Sequence, residues 1–447
     1  MNTIVLLTAL TAGQQPAPPA SGGVYLPPIP NPGAVAPAPV AQPPMKLPVQ
    51  DVPPAGMPPM NGNGMGEEKK EDEKKDQEKK DEAKKPEPYL LMRSLKGTGF
   101  GNLLDDNGIS ISGWVQGNYT ASSADRTNLP TTFNDRANFF QMNQNFLRIN
   151  KDIDTSKEEF QLGFRTEWIL PGTDARFSQS RGLFNGQTGD YQFDLFQAYG
   201  EAYLPNVGPK GSTVRVGKFA TLVGYELVQG AETPFVSRSY LFQYNPFTHT
   251  GAMVTTQLDD TWTVVNGLVQ GADNTFSSPN QATYIGQLKW APKEGKSNAL
   301  FNVVLTDPRF DTSRGFPFYN VYNLVYTRNI SDKFTYVLDA TFSHIDGAPL
   351  GNGAVGSATW YGAANYLIYK HCDNVTSTFR AEVFEDTKGF RTGSQGTYTA
   401  LTYGVAYAPK PGVIFRPFAR YDHNSDSRPF EGKSNLYTAG MDVILRY

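Results

Sequence analysis

From Leu103 onward, apolar and polar residues alternate with a period of two. Between Phe160 and Leu170, Phe160, Leu162, Phe164, Thr166, Trp168 and Leu170 share one face, while Gln161, Gly163, Arg165 and Glu167 share the other. The same alternation sets Phe334, Tyr336, Leu338, Ala340 and Phe342 against Thr335, Asp339, Thr341 and Ser343, and it repeats through Leu401, Tyr403, Val405 and Tyr407. In the last segment Tyr437, Ala439, Met441, Val443, Leu445 and Tyr447 oppose Thr438, Gly440, Asp442 and Arg446. A period of two is that of a β-strand with one greasy face.

Extending this reading predicts strands over 109–120, 139–151, 158–170, 190–203, 212–220, 248–259, 261–271, 281–291, 298–306, 318–329, 333–345, 357–371, 374–387, 396–408, 412–423 and 435–447. Two of them, 139–151 and 190–203, do not divide cleanly into faces. The connections alternate between tight turns (Asp259-Asp260, Ile330 to Asp332, Cys372-Asp373, Pro409 to Pro411) and longer loops (121–138, 171–189, 221–247, 307–317, 346–356, 424–434). About sixteen strands of ten or so residues, with short turns at one end and long loops at the other, predict an all-β chain closed into a transmembrane antiparallel up-and-down barrel. The ten residues from Tyr437 to Tyr447 span about 33 Å of strand, or about 25 Å of height at a tilt of about 40°, which is the thickness of the apolar band. These two tyrosines are therefore candidates for a membrane-interface girdle. A slip of one residue would turn Arg165, Glu167, Asp339, Asp442 and Arg446 toward lipid, at about 2–4 kcal/mol for a basic residue at the midplane, so register is strongly fixed.

Composition divides the 447 residues in two. Residues 1–88 carry 18 of the 33 prolines and only Tyr25 among the aromatics, so they cannot bury a core and are expected to be disordered. Ile4 to Ala12 followed by Gly13 reads as a secretory signal over 1–13, although no Lys or Arg precedes it. Residues 14–66 form a Pro-rich linker, and 67–88 a charged run whose Glu71/Lys75 and Asp76/Lys80 pairs suit a solvated helix. Residues 89–447 are the barrel. No apolar run approaches the roughly 18 residues of a membrane helix. The balance of 40 basic against 43 acidic residues gives no footprint for nucleic acid.

Specific words carry a family resemblance. VRVGKFATLVGYE (Val214 to Glu226), SRSYLFQYNPFTHTG (Ser237 to Gly251), STFRAEVFEDTKGFRTG (Ser377 to Gly393) and FRPFARYD (Phe415 to Asp422) resemble blocks of the beta-barrel porin-2 (OmpL-like) family, as do MNQNFLRINKDID (Met142 to Asp154), FQAYGEAYLP (Phe196 to Pro205) and ATWYGAANY from Ala358. Phe418 departs from the pattern, standing where the family often carries an acid. The resemblance, from about Gly113 to Tyr447, implies an outer-membrane porin-like barrel whose terminal Tyr447 is the aromatic end that the barrel-assembly machinery recognises.

For chemistry, the sequence offers no HExxH, G-x-S-x-G, GxxxxGK[ST] or EF-hand loop, and no enzyme or cofactor is expected. Cys372 is alone, and His249, His344, His371 and His423 lack ligand spacing, reading as interfacial or turn residues. The candidates for function are the inward charges Arg165, Glu167, Arg380, Glu382, Arg416, Arg420, Asp422, Asp442 and Arg446, which would line a pore or merely pair along its wall. The longest loop, 221–247, would place Glu226, Glu232 and Arg238 at a constriction if it folds inward, or would cover the mouth or a subunit interface. The expected function is passive diffusion of small hydrophilic solutes across the outer membrane, with a periplasmic arm and a possible homotrimer. The alternative is a structural barrel with a plugged lumen that anchors the envelope through its arm, in contact with the cell wall.

Overall fold

The structure, a computed structural model, describes residues 90–276, 282–293, 295–306, 318–350 and 354–447. The expectations for the signal, the linker, the charged run and loop 307–317 lie outside the described residues, as does part of loop 346–356. Sixteen strands are described: β1 (Ser110–Ser122), β2 (Phe139–Lys151), β3 (Gln161–Gly172), β4 (Gln192–Leu204), β5 (Ser212–Ala220), β6 (Thr248–Gln257), β7 (Trp262–Val269), β8 (Thr283–Trp290), β9 (Ser297–Thr306), β10 (Phe318–Ser331), β11 (Phe334–Pro349), β12 (Val355–Cys372), β13 (Val375–Asp386), β14 (Gly396–Lys410), β15 (Val413–Asn424) and β16 (Asn435–Arg446). Each pairs antiparallel with its chain neighbour, and β1 pairs with β16 from Trp114↔Arg446 to Ser122↔Thr438, closing the barrel. Closure leaves no edge, so every ladder group is satisfied without water. No helix of the described residues is long and apolar enough to cross a membrane.

The pleat sorts side chains as the alternation demands. Tyr437, Met441 and Leu445 on β16 are exposed outward, while Asp442 and Ile444 beside them are fully buried. On β11, Phe342 faces out and Val337, Asp339 and Ser343 face in. The two strands whose faces the sequence left unresolved each carry a β-bulge. On β2 the register shifts where Gln116 meets Gln144 and Gly117 meets Met142, so Asn143 and Gln144 both point inward. On β4 it shifts where Glu167 meets Gln197 and Trp168 meets Leu195, so Phe196 and Gln197 do the same. An extra residue flips the phase of everything beyond it, and a strict period of two cannot follow.

At the seam, Tyr447 extends β16 against β1, its hydroxyl donating to the Phe146 carbonyl at 2.9 Å. The ring occupies the space left by Gly113, where a Cβ would sit 2.6 Å from Tyr447 Cζ and 2.1 Å from the Phe146 oxygen. Before the barrel, α1 (Leu90–Leu95) and α2 (Gly99–Asp106) form two short helices that the alternation did not signal. Thr98 caps α2 by accepting from Gly101 N at 3.0 Å.

The interior is packed. Segments between β1 and β2, between β3 and β4, and between β5 and β6 turn inward, the second through α3 (Ala175–Ser178) and the third through α4 (Tyr240–Tyr244). Phe133 from the first lies 5.2 Å from Phe177 of the second, and 5.1 and 5.6 Å from Phe242 and Phe247 of the third. These three loops make one aromatic core where a wide barrel would otherwise hold water. On the far wall, Val265, Val269, Ile285, Val304 and Val321 face inward against Leu222 and Val223.

Candidate functional site

The loop between β5 and β6 crosses the barrel, and four inward arginines hold it by its main chain. Arg380 on β13 donates to the Ser237 carbonyl at 3.0 Å, Arg416 on β15 to Thr233 at 2.5 Å, Arg420 on β15 to the Arg238 carbonyl at 2.5 Å, and Arg446 on β16 to Ala231 at 2.5 Å. A hydrogen bond from a charged donor is worth about 1.5–3 kcal/mol net, so the four together are a strong clamp. Further anchors fix both ends. Gly224 N donates to Asn323 Oδ1 and Tyr225 N to Asp339 Oδ2, each at 3.0 Å, while across the barrel Gln144 exchanges bonds with the Val228 carbonyl at 2.6 Å and Gly230 N at 3.0 Å.

Carboxylates balance the arginines pairwise. Asp442 takes a two-pronged contact from Arg416 (Nη2–Oδ2 2.5 Å, Nε–Oδ1 3.0 Å) and a bond from Gln116 at 2.8 Å. Asp422 takes Arg420 in the same way at 2.6 and 2.8 Å. Glu382 lies 3.2 Å from Arg380 Nε and 3.4 Å from Arg420 Nη2, and accepts Tyr240 N at 2.7 Å. Glu226, from the loop, accepts Arg380 Nη1 at 2.5 Å, Tyr366 Oη at 3.0 Å and Ser239 N at 2.9 Å. Burying a charge is tolerable only with such partners.

Of the nine inward candidates, Glu167, Arg380, Glu382, Arg416, Arg420, Asp422 and Asp442 are buried, none more than 4% exposed, because the loop covers them. They face protein, not the open water that the alternation alone suggests. Arg165 retains 22% side-chain exposure, lying 3.1 Å from Asp152, and Arg446 is half-buried. In the loop, Glu226 and Arg238 are buried, whereas Glu232 keeps 17% exposure and meets Arg148 at 2.8 Å. Burial brings the Arg238 guanidinium down to about 10, although Glu226 and Asp174 oppose the fall. Tyr437 is exposed outward and Tyr447 half-buried at the seam.

Several interior groups lie outside the sequence candidates. Arg148 bonds Glu167 at 2.5 Å, Arg215 meets Glu201 at 2.7 Å, and Lys218 lies 3.4 Å from Asp194. Arg148 and Asp194 stand on the bulged strands, where the phase was lost. Glu201 and Arg215 oppose one another across β4 and β5, a pairing legible only once register is known. His249 corrects the reading of interfacial histidines: it is fully buried, between Thr221 Oγ1 and the Gly271 carbonyl, each at 3.0 Å. Among the described residues no group of three His, Cys, Asp or Glu side chains could hold a metal ion.

A closed sixteen-stranded barrel with an in-folded loop after its fifth strand defines the porin class of outer-membrane barrel. The chain belongs to the family described as "Putative beta-barrel porin-2, OmpL-like", which matches residues 108–447. No curated protein matches it. Among solved structures it is similar to OprB of Pseudomonas putida, at 12% identity over 78% of this chain and 96% of that one, with a TM-score of 0.51. It is also similar to an anion-selective porin from Comamonas acidovorans, at 10% identity over 76% and 98%, with a TM-score of 0.50. Likenesses at this identity concern the fold.

Proposed function

We propose that the barrel sits with its long loops outward and its N-terminus in the periplasm, and that it passes small hydrophilic solutes by diffusion along a path restricted by the in-folded loops. The observation that carries this reading is the clamped loop after β5. It crosses the barrel interior while Arg148, Arg165, Glu232 and Arg446, toward the short-turn end, keep partial exposure to solvent. Charged groups lining a narrow aqueous path favour polar solutes over lipophilic ones. On the outer surface, Tyr437 and Tyr447 would mark the two interfaces.

A second reading is favoured by the near-complete burial of Arg380, Glu382, Arg420 and Asp422: a barrel sealed by its loop that anchors the envelope through residues 14–88. Single-channel recording of the full chain in a planar bilayer separates the two. Stepwise openings that scale with salt support the pore, and deleting 227–236 then raises the conductance. Silence from a protein shown to be folded leaves the sealed barrel.

A further inference from the structure

At the long-loop end of β10, β11 and β12, the pleat brings Tyr319, Ser343 and Trp360 together on the inner wall, with Ser343 and Trp360 directly paired across the sheet. The Tyr319 and Trp360 rings stack at 5.5 Å and 17°. Trp360 is 1% exposed and Ser343 fully buried; the Ser343 and Tyr319 hydroxyls lie within reach of one another, whereas the indole Nε1–H has no hydrogen-bond partner among the described residues. Buried donors are ordinarily satisfied, and an orphaned indole N–H beside this hydroxyl pair points to a missing acceptor.

A cation stands over the same place. The Asp386 carboxylate accepts Phe390 N at 3.0 Å and Arg391 N, Thr392 N and the Thr392 hydroxyl at 2.9 Å each, which fixes the turn after β13. That turn holds the Arg391 guanidinium over Trp360, 5.2 Å from the ring centroid, and 5.6 Å from that of Tyr244. Its buried Nε–H has no hydrogen-bond partner among the described residues, and no ion pair there engages the guanidinium. The side chain is half-buried, so it can be reached from the mouth. Two other charges face the cluster. Burial brings Arg181 down to about 10, with the Arg391 charge adding to the fall and Asp273 opposing it, and burial pushes the Asp273 carboxyl up to about 7.

We propose that Arg391, Trp360, Ser343 and Tyr319 form a binding subsite for the oxyanion group, carboxylate or phosphate, of a small solute with a planar body. The unpartnered groups of the cluster, the indole N–H of Trp360 and the Nε–H of Arg391, are donor-only, and the guanidinium fork matches an oxyanion in charge and shape. The aromatic faces supply a surface for the planar part. The assignment deepens the pore reading, since it requires that solutes enter at the long-loop mouth.

Calorimetric titration of the full chain in detergent tests it, with sodium benzoate and phenyl phosphate as probes and benzyl alcohol as the uncharged control. Both anions bind, the tighter one identifies the group preferred, and benzyl alcohol does not compete. Arg391→Gln weakens the anions about tenfold. Trp360→Phe, which keeps an aromatic face and removes the N–H, and Ser343→Ala weaken them about threefold. Each variant is first shown to be folded by its heat-dependent electrophoretic mobility. Absence of binding by the native chain, equal affinity in Arg391→Gln and Ser343→Ala, or benzyl alcohol binding as tightly as benzoate overturns the assignment. Binding in solution does not require conduction, so anion binding by an electrically silent barrel would sink the pore reading and keep this one.

Discussion

Replacing Glu226 by Ala isolates what the buried ion pairs do for the loop. Its carboxylate, 1% exposed, is met by Arg380 at 2.5 Å, Tyr366 at 3.0 Å and Ser239 N at 2.9 Å. Removing one partner of a buried pair costs about 3–5 kcal/mol, chiefly because the other charge is stranded. Arg380 keeps Glu382 at 3.2 Å and the Ser237 carbonyl at 3.0 Å, which places the loss at the lower end, about 3 kcal/mol. The strand ladders are untouched, so the cost falls on seating of the loop, and about 3 kcal/mol corresponds to roughly a hundredfold change in the ratio of seated to released forms. Trypsin cleavage after Arg238, itself 1% exposed, reads that ratio, because the enzyme cannot enter the barrel and cuts only a released loop. Cleavage of Glu226→Ala should be accelerated by one to two orders of magnitude. Pairing it with Arg380→Ala should recover part of the loss, since no guanidinium is then stranded. A cleavage rate within about twofold of native, in a protein whose barrel still migrates as folded, would refute the argument that this pair seats the loop.

Gly113→Val should lower the temperature of the heat-dependent mobility shift, because the new Cβ would meet the Phe146 oxygen at 2.1 Å and the Tyr447 ring at 2.6 Å, an overpacking cost of about 1–3 kcal/mol or more. Asp273 titrates in the folded state at about 7, well above its ordinary 3.8, so the folded protein binds that proton more tightly than the unfolded one. Its contribution therefore becomes more favourable as pH falls from 8 to 6. The mobility transition should rise over that window in the native chain, and Asp273→Asn should remove the part of the rise due to this group. Glu431 accepts the backbone N–H groups of Asp125, Arg126 and Thr127 at 2.7, 3.1 and 3.1 Å, which hold its carboxyl below the usual range. Glu431→Ala should open the 123–138 loop to protease and leave the transition temperature almost unchanged.

The barrel was legible because its physics is local. Outward positions such as Leu401, Tyr403 and Tyr437 must be apolar and inward ones such as Arg416 and Asp442 need not be, so a period of two writes strand, face and register together. The signal failed at Asn143 and Phe196, where a bulge shifts the phase, and at α1 and α2, too short for a helical period to emerge. The residues gripping the loop were legible as inward charges, but not their task. Alternation says that Arg420 points inward, and only the path of a segment 182 residues earlier in the chain shows that it meets the Arg238 carbonyl. The packing of Phe133 on Phe177, Phe242 and Phe247 joins three loops that share no periodicity.

The arginine clamp has a further consequence for variation. Arg380, Arg416, Arg420 and Arg446 take hold of carbonyls of the peptide backbone, which any amino acid provides. Side chains along that stretch can thus be exchanged without asking the wall to change, apart from Glu226, Gln229 and Glu232, which themselves fasten to Arg380, Glu167 and Arg148. A partly exposed position such as Pro234 could be recoloured while the course of the loop across the cylinder is conserved. Under the proposed pore function, the molecule would separate the frame that carries the threshold from the residues that decide what crosses it, an arrangement suited to acquiring new selectivities by single substitutions.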